Sequence, residues 1–161
     1  KVKDIVFISL NGKYEKKYKP SSEWRFHQDI YVKKKDAQAI VHTHSTNATA
    51  LSVHKKPIPA FHYMVALAGG NDIKCAKYAT YGTRELSKNI LKALNNRKAC
   101  LIANHGQIAF DSNLPDAFEL AQEVENLSLQ YITALKLGKP KNLSDKEMNK
   151  VLKKAKNYKR D

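Results

Sequence analysis

Residues 99–111 read ACLIANHGQIAFD, two apolar stretches joined by a short segment that contains His105 and Gly106. The first stretch predicts a buried strand over residues 99–104, and the second predicts a strand that returns from it. Gly106 is expected to let the backbone turn tightly between the two. The segment therefore predicts paired strands with a histidine at the point where the chain reverses.

A second apolar strand also ends in histidines. Residues 40–46 read IVHTHST, and a short buried strand is predicted over residues 38–42. Side chains two residues apart on an extended segment point to the same side, so His42 and His44 are expected to face one pocket. Their spacing alone fits a solvent-facing pair as well as a metal-binding pair. His105 favours the metal, because three neutral imidazoles with one open position are typical of catalytic zinc, although other divalent ions accept the same ligands.

Helices are predicted between these strands. Their approximate ranges are 21–32, 46–54, 83–97, 114–137 and 144–155. Asn11-Gly12 indicates a β-hairpin near the start of the chain, and a further strand is predicted over residues 72–78. Strands and helices alternate, which predicts an α/β domain with helices on both faces of a sheet.

The composition excludes several classes of protein. A chain of 161 residues that is 42% hydrophobic can bury one core, and no apolar run is long enough for a transmembrane helix. Cys75 and Cys100 lie far apart and form no CxxC, which indicates reduced thiols in a cytosolic protein. The net charge of +14 suits an anionic partner or a lysine-rich solvated surface. No aromatic-basic pattern or helix-turn-helix supports a nucleic-acid partner, and none is expected.

Glu23 is the best candidate for an acid or base beside the histidines. It follows Ser21 and Ser22 at a predicted helix start, where acidic residues also occur simply because they favour the helix dipole. Both interpretations stay open at this point. Two further histidines, His27 and His62, show no pattern that separates a role in the site from a structural one.

Five segments, in order along the chain, resemble the class II aldolase family of zinc enzymes. They are KPSSEWRFH (19–27), AIVHTHS (39–45), KPIPAFHYMVALAGGN (56–71), YATYGTRELS (78–87) and LIANHGQIA (101–109). The resemblance covers nearly the whole chain, and five ordered segments are far more specific than any one of them. It implies a three-layer α/β/α fold with a central mixed, largely antiparallel sheet, and a single domain over residues 1–161.

The resemblance implies a metal site and a catalytic acid. His42, His44 and His105 would bind Zn²⁺. Glu23 would be a zinc ligand at rest that moves off to act as catalytic acid and base. Zinc would stabilise the enediolate that forms when a carbon–carbon bond breaks, so no lysine is needed as nucleophile.

The resemblance also implies substrate contacts and an assembly. Tyr63 matches a catalytic tyrosine that donates a proton near the aldehyde, and Tyr158 matches a catalytic tyrosine of the C-terminal tail. Ser21 and Ser22 match two serines that bind the substrate phosphate, and a helix start with free N–H groups suits an anion. The family implies a cytoplasmic homotetramer with active sites between neighbouring subunits.

The implied activity is that of a lyase in carbohydrate metabolism. It would cleave L-fuculose 1-phosphate, or a related ketose 1-phosphate, to dihydroxyacetone phosphate and an aldehyde. An enzyme like L-ribulose-5-phosphate 4-epimerase or methylthioribulose-phosphate dehydratase is the alternative on the same scaffold, although the epimerases place an aspartate at the position of Glu23. A non-enzymatic binding domain like the adducin head is a further hypothesis. Such domains lack the histidine set, so the histidines of this chain argue against it.

The chain departs from the family pattern in one respect. Family members carry a further βα segment upstream, with an asparagine and a glycine-containing loop that complete the phosphate site. The chain opens close to the predicted hairpin and lacks this phosphate-loop segment, so a pocket formed by Ser21 and Ser22 alone is expected to be weakened. Either the upstream sequence is not included in this chain, or the protein has lost it. A truncated, inactive homologue is a further alternative.

Overall fold

The computed structural model describes residues 4–158, without the side chains of residues 156–158. In chain order the elements are α1 (Trp24–Lys33), β1 (Ala39–Thr43), α2 (Thr46–Ser52), a 3-10 helix (Tyr63–Ala68), β2 (Cys75–Ala76), α3 (Arg84–Ala93), β3 (Ala99–Ile102), β4 (Gly106–Asp111), α4 (Leu114–Lys136) and α5 (Asp145–Tyr158).

The sheet has the order β1-β4-β3-β2. β4 is antiparallel to both β1 and β3, whereas β2 is parallel to β3. Thr43, the last residue of β1, pairs with Gln107 near the start of β4. The turn that carries His105 and the end of β1 therefore lie at the same end of the sheet.

Two apolar cores cover the two faces of the sheet. β3 and β4 are buried along their whole length, and their side chains alternate between the faces. Leu101 and Ala109 join the core formed with α2, α4, α5 and the 3-10 helix. Cys100 and Ile108 join the core formed with α1 and α3. The three-layer α/β/α architecture and the mixed, largely antiparallel sheet are confirmed.

The predicted hairpin and one predicted strand are mostly absent. The hairpin at Asn11-Gly12 is reduced to one antiparallel bridge between Ile8 and Tyr14, and Phe7 is 90% exposed. An isolated two-stranded ribbon is marginal without a sheet to extend it. The strand predicted over residues 72–78 shrinks to the two residues of β2.

The helices follow the predicted ranges closely, and their caps explain the boundaries. Thr83 caps α3 by accepting from the N–H of Leu86 at 3.2 Å. Ser144 accepts from the N–H of Glu147 at 3.2 Å at the start of α5. Among residues 4–158, no helix combines the length and apolarity needed to cross a membrane.

Candidate metal centre

The two histidines of the HTH segment point into one site. His42 is the penultimate residue of β1, and His44 lies just beyond its end. Their Nε2 atoms are 3.1 Å apart. The ring of His105 completes the group, with its centroid 5.0 Å from that of His42 and 4.8 Å from that of His44. The extended backbone thus places both imidazoles on the same side, as their spacing predicts.

The carboxylate of Glu23 reaches the same group from the start of α1. Its Oε2 lies 3.0 Å from Nε2 of His42, and its Oε1 lies 3.0 Å from Nε2 of His105. Glu23 is the N-cap residue of α1, yet its side chain makes no capping hydrogen bond. A preference of acids for helix starts does not account for this orientation, because the carboxylate faces the histidines rather than the first-turn N–H groups.

The tautomer of His42 is set by the main chain. Its Nδ1 lies 2.7 Å from the backbone oxygen of Gln107. A carbonyl oxygen only accepts, so Nδ1 carries the proton and Nε2 presents a lone pair. That lone pair faces His44 and Glu23, both of which also offer acceptor atoms. Lone pairs that converge in this way need a cation or a proton between them.

The donor set fits a divalent metal ion. The ligand atoms of Glu23, His42, His44 and His105 all lie within 4.8 Å of one another. Oε1 of Glu23 is buried without a hydrogen-bond partner among the described residues. Imidazole nitrogens with one carboxylate are a ligand set of zinc and similar ions. The site opens towards solvent at His44, which is exposed, whereas the side chains of His42 and His105 are each 11% exposed.

Burial favours the neutral form of His42 and of the neighbouring His27. It lowers the pKa of His42, against opposing contributions from the Gln107 carbonyl and Glu23. Burial also lowers the pKa of His27 to about 4, helped by the nearby His42. The His27 ring stacks on Phe26 at 4.8 Å and backs the ring of His42. A neutral imidazole is the form that binds a metal ion.

Gly106 is needed for close approach, and the tight turn predicted for it is made by another residue. Asn104 adopts the left-handed conformation, with φ of 54°. Gly106 is the first residue of β4, and a Cβ there would lie 2.4 Å from the backbone oxygen of Thr43 and 3.0 Å from Cδ2 of His44. Glycine at this position therefore lets the two histidine-bearing segments lie side by side.

The predicted phosphate ligands lie immediately before Glu23. Ser21 and Ser22 are both exposed, and Oγ of Ser21 accepts from the N–H of Glu23 at 3.2 Å. The turn before α3 covers this segment, since a Cβ on Gly82 would lie 2.8 Å from the backbone oxygen of Ser22. The serines are thus accessible to a ligand and adjacent in sequence to a residue of the metal centre.

Of the two predicted tyrosines, only Tyr63 has a described side chain, and it is not gathered with the histidines. Tyr63 begins the 3-10 helix, is 53% exposed, and has its ring 4.8 Å from that of His62. His62 caps this helix by accepting from the N–H of Met64 at 3.4 Å, so its role is structural. The side chain of Tyr158 lies outside the part of the chain that the structure describes.

Three residues near the site carry no sequence signal that would single them out. Gln107 holds the His42 ring through its backbone oxygen. Glu125 and Ser52 contact the segments that carry His44 and His105. An acid on an amphipathic helix and a serine near a helix end are too common to be recognised from sequence.

Comparisons with known proteins agree with this geometry. The family model described as the class II aldolase and adducin N-terminal domain matches residues 1–132. The chain is 54% identical over 155 residues to an L-fuculose phosphate aldolase of Escherichia coli O6:H1, covering 96% of this chain and 72% of that protein. It is 52% identical over 155 residues to a 5-methylthioribulose-1-phosphate/5-deoxyribulose-1-phosphate aldolase of Rhodospirillum rubrum, covering 96% of this chain and 70% of that protein.

A solved structure shares the fold closely. An L-fuculose 1-phosphate aldolase superposes with a TM-score of 0.92 at 44% sequence identity, over 97% of this chain and 74% of the other. The matched family, the two kinds of aldolase relative and the carboxylate–histidine cluster agree with one another. The chain belongs to the class II aldolase and adducin N-terminal domain family, and it is a metal-dependent aldolase, a carbon–carbon lyase.

Proposed function

We propose that this enzyme is a zinc-dependent aldolase that cleaves L-fuculose 1-phosphate, or a related ketose 1-phosphate, to dihydroxyacetone phosphate and an aldehyde. One observation carries the proposal. The Glu23 carboxylate spans His42 and His105 at 3.0 Å each, directly after two exposed serines. A metal-binding carboxylate and an anion-binding helix start are thus one residue apart.

The phosphate end of the substrate fits the start of α1. The hydroxyls of Ser21 and Ser22 are exposed there, and the partial positive charge of a helix N-terminus attracts an anion. Since Glu23 follows directly, a phosphate at the serines puts the first carbons of the ketose beside the carboxylate. A net charge of +14 further favours a phosphorylated substrate over a neutral sugar.

Cleavage requires two proton movements. The hydroxyl on C4 loses its proton, the C3–C4 bond breaks with its electron pair left on C3, and the C4 oxygen becomes the aldehyde carbonyl. C3 then gains a proton, which completes dihydroxyacetone phosphate. We assign proton transfer at C3 to Glu23 and proton exchange at the aldehyde oxygen to Tyr63, which is exposed and free to reach a neighbouring subunit's site.

His42, His44, His105 and Glu23 would hold the metal ion, which would supply Lewis-acid stabilisation of the negative charge that develops on the substrate oxygens. The chain's own contribution is to keep His42 neutral and aligned. The carbonyl of Gln107 fixes the His42 tautomer, and burial keeps that imidazole unprotonated.

Assembly and location follow from the same proposal. A homotetramer of single-domain subunits over residues 1–161 would bring Tyr63, and Tyr158 of the tail, to a site shared between neighbours. Two free thiols and a phosphorylated sugar substrate favour the cytoplasm.

A second substrate has comparable support. The relative that acts on 5-methylthioribulose 1-phosphate and 5-deoxyribulose 1-phosphate is 52% identical, against 54% for the L-fuculose phosphate aldolase. All of these sugars share a ketose 1-phosphate end and differ in the aldehyde that is released. In this proposal Ser21, Ser22 and Glu23 act on the shared end, so they support the reaction type equally for each sugar.

The proposal is tested by metal analysis and product detection on the same preparation. We expect about one zinc ion per chain. Release of dihydroxyacetone phosphate is then followed with L-fuculose 1-phosphate, 5-deoxyribulose 1-phosphate and 5-methylthioribulose 1-phosphate, and kcat/KM ranks the three. Activity without this product would favour the epimerase or dehydratase alternative. No metal in the site, or no turnover of any ketose 1-phosphate, would overturn the proposal.

A further inference from the structure

Helix α2 lies between the two segments that carry the histidines. Only His44 and Ser45 separate the end of β1 from the start of α2. The helix has seven residues, so it is about 10 Å long. Its last residue, Ser52, contacts the turn that carries His105. α2 is thus one short rigid element whose two ends touch separate ligand segments.

Glu125 of α4 holds the first turn of α2. Its Oε1 accepts from the backbone N–H of Asn47 at 2.8 Å and from the side-chain Nδ2 of Asn47 at 2.7 Å. Its Oε2 accepts from the N–H of Ala48 at 2.8 Å. Ser45, the N-cap residue, makes no side-chain capping bond, so the carboxylate of α4 caps α2 in its place. These charge-assisted bonds begin three residues after His44.

Ser52 holds the other end against the His105 turn. Its side chain is fully buried, and its hydroxyl donates to the carbonyl of Thr49 at 2.8 Å. The same hydroxyl accepts from the N–H of His105 at 3.3 Å, and the Ser52 carbonyl accepts from the N–H of Asn104 at 3.3 Å. The N–H groups of Asn104 and His105 therefore both bond to one residue of α2, and the N–H of His105 also donates to the Ile102 carbonyl at 3.0 Å.

His44 depends on this helix more than the other ligands do. His42 lies inside β1 and is held by strand pairing with β4 and by the Gln107 carbonyl. His44 lies outside the strand, and a hydrogen bond from Gln107 Nε2 to the Ser45 hydroxyl at 3.1 Å supports the next residue. Its distance from His105 therefore depends on where α2 begins and ends, in addition to the close approach of Gly106 to His44.

We propose that Glu125 and Ser52 are positioning residues of the metal centre: they anchor the two ends of α2, and α2 holds His44 and His105 at the separation that one metal ion requires. The inference rests on the proposed metal-dependent function. Groups that hold the metal-binding residues in place affect metal affinity without contacting the ion themselves. Neither side chain contacts the substrate in this assignment.

The test measures Zn²⁺ affinity of the metal-free protein by competition with a chromophoric chelator, and the visible spectrum of the Co²⁺-loaded protein. Glu125→Ala should weaken Zn²⁺ binding by about 10- to 100-fold and alter the Co²⁺ bands. Glu125→Gln keeps one acceptor oxygen and should give a smaller loss. Ser52→Ala should weaken binding by about three- to tenfold. Turnover of Glu125→Ala should fall at limiting Zn²⁺ and recover at saturating Zn²⁺.

Matched controls separate positioning from general stability. Glu123→Gln removes a charge from the same helix, and Ser128→Ala removes a buried hydroxyl that donates to the Val124 carbonyl at 2.7 Å. Ile90→Val removes a methyl group from the core on the other face of the sheet and should lower the melting temperature. All three should keep wild-type Zn²⁺ affinity. If Glu125→Ala fails to fold, Glu125→Gln carries the test.

The outcomes distinguish this inference from the proposed function. Folded Glu125 and Ser52 variants with wild-type Zn²⁺ affinity and Co²⁺ spectrum would overturn the inference alone. Wild-type protein that binds no Zn²⁺ would overturn both. Weakened Zn²⁺ binding in these variants, with no cleavage of ketose 1-phosphates by the wild type, would support the inference and overturn the proposed reaction.

Discussion

The backbone oxygen of Thr43 lies so close to Gly106 that a Cβ there would be 2.4 Å away. Gly106→Ala should therefore force β1 and β4 apart at the edge that carries His42 and His44. We expect a loss of about 1–3 kcal/mol in the free energy of unfolding, as for other overpacked sites, together with weaker Zn²⁺ binding. Urea unfolding and zinc analysis of the purified protein measure the two effects.

The neighbouring turn supplies the control for that substitution. Asn104 has φ of 54°, a conformation that glycine adopts without strain. Asn104→Gly should keep stability near the wild-type value and leave zinc content unchanged. If Gly106→Ala were tolerated and Asn104→Gly were not, the turn at Asn104 rather than the contact with Thr43 would determine the site.

Glu23→Gln tests the proton-transfer role. The amide has the same shape but cannot take up a proton, so kcat should fall by about 10²- to 10⁴-fold. Zinc should remain bound, because His42, His44 and His105 still supply three ligands. Zinc content and the rate of dihydroxyacetone phosphate release are measured on one sample, with Glu85→Gln, an exposed acid of α3, as control. An unchanged kcat would contradict the assigned role.

Ser22→Ala tests the phosphate site. A hydrogen bond to a charged group contributes about 1.5–3 kcal/mol, so KM for a ketose 1-phosphate should rise by roughly 10- to 100-fold. Cleavage of the unphosphorylated ketose, measured at high concentration, should not change. Gly82→Ala should have a similar effect, since its Cβ would lie 2.8 Å from the Ser22 backbone oxygen and its φ is +73°.

Ser144→Ala is the matched control for Ser22→Ala. It also removes a serine from a helix start, because Ser144 accepts from the N–H of Glu147 at 3.2 Å. It should lower stability slightly and leave KM for the phosphorylated sugar unchanged. An equal rise in KM for phosphorylated and unphosphorylated ketoses in Ser22→Ala would argue against phosphate binding at this serine.

The pH dependence of stability reports on Glu125. Burial raises the pKa of this carboxyl, but hydrogen bonds from Asn47, Ala48 and Ser45 outweigh that effect and hold the pKa below its ordinary value of 4.5. A pKa that is lower in the folded state means that Glu125 stabilises the fold above about pH 4.5 and that this stabilisation is lost as pH falls further. Urea unfolding of wild type and Glu125→Gln should differ by about 1 kcal/mol at pH 7, the usual value of a helix cap. The difference should vanish in acid, whereas a pH-independent difference would contradict the cap.

The metal site was largely predictable because its ligands follow from strand geometry. The i, i+2 spacing of His42 and His44 determines their common side, and Nε2 atoms 3.1 Å apart agree with it. His105 was recognisable because it also follows an apolar strand. Residue patterns alone could not separate Glu23 from an ordinary helix-start acid, and its predicted role came from the family resemblance.

Features that depend on packing between distant segments could not be predicted. Gly106 is needed because of Thr43, which is 63 residues earlier in the chain, and no local pattern reports that contact. Glu125 caps a helix that begins 79 residues before it. Asn11-Gly12 correctly predicts a turn. The segments on its two sides pair through one bridge only among the described residues, because they do not join the sheet.

The hydrogen bond between His42 Nδ1 and the Gln107 carbonyl has an evolutionary consequence. Because the acceptor belongs to the peptide group, any amino acid at position 107 still offers it, and point mutation there cannot erase it. The tautomer of His42 is therefore determined by the pairing of β1 with β4 rather than by the amino acid at position 107. Descendants of this enzyme can exchange the side chain at position 107 and still inherit the same lone pair towards the metal.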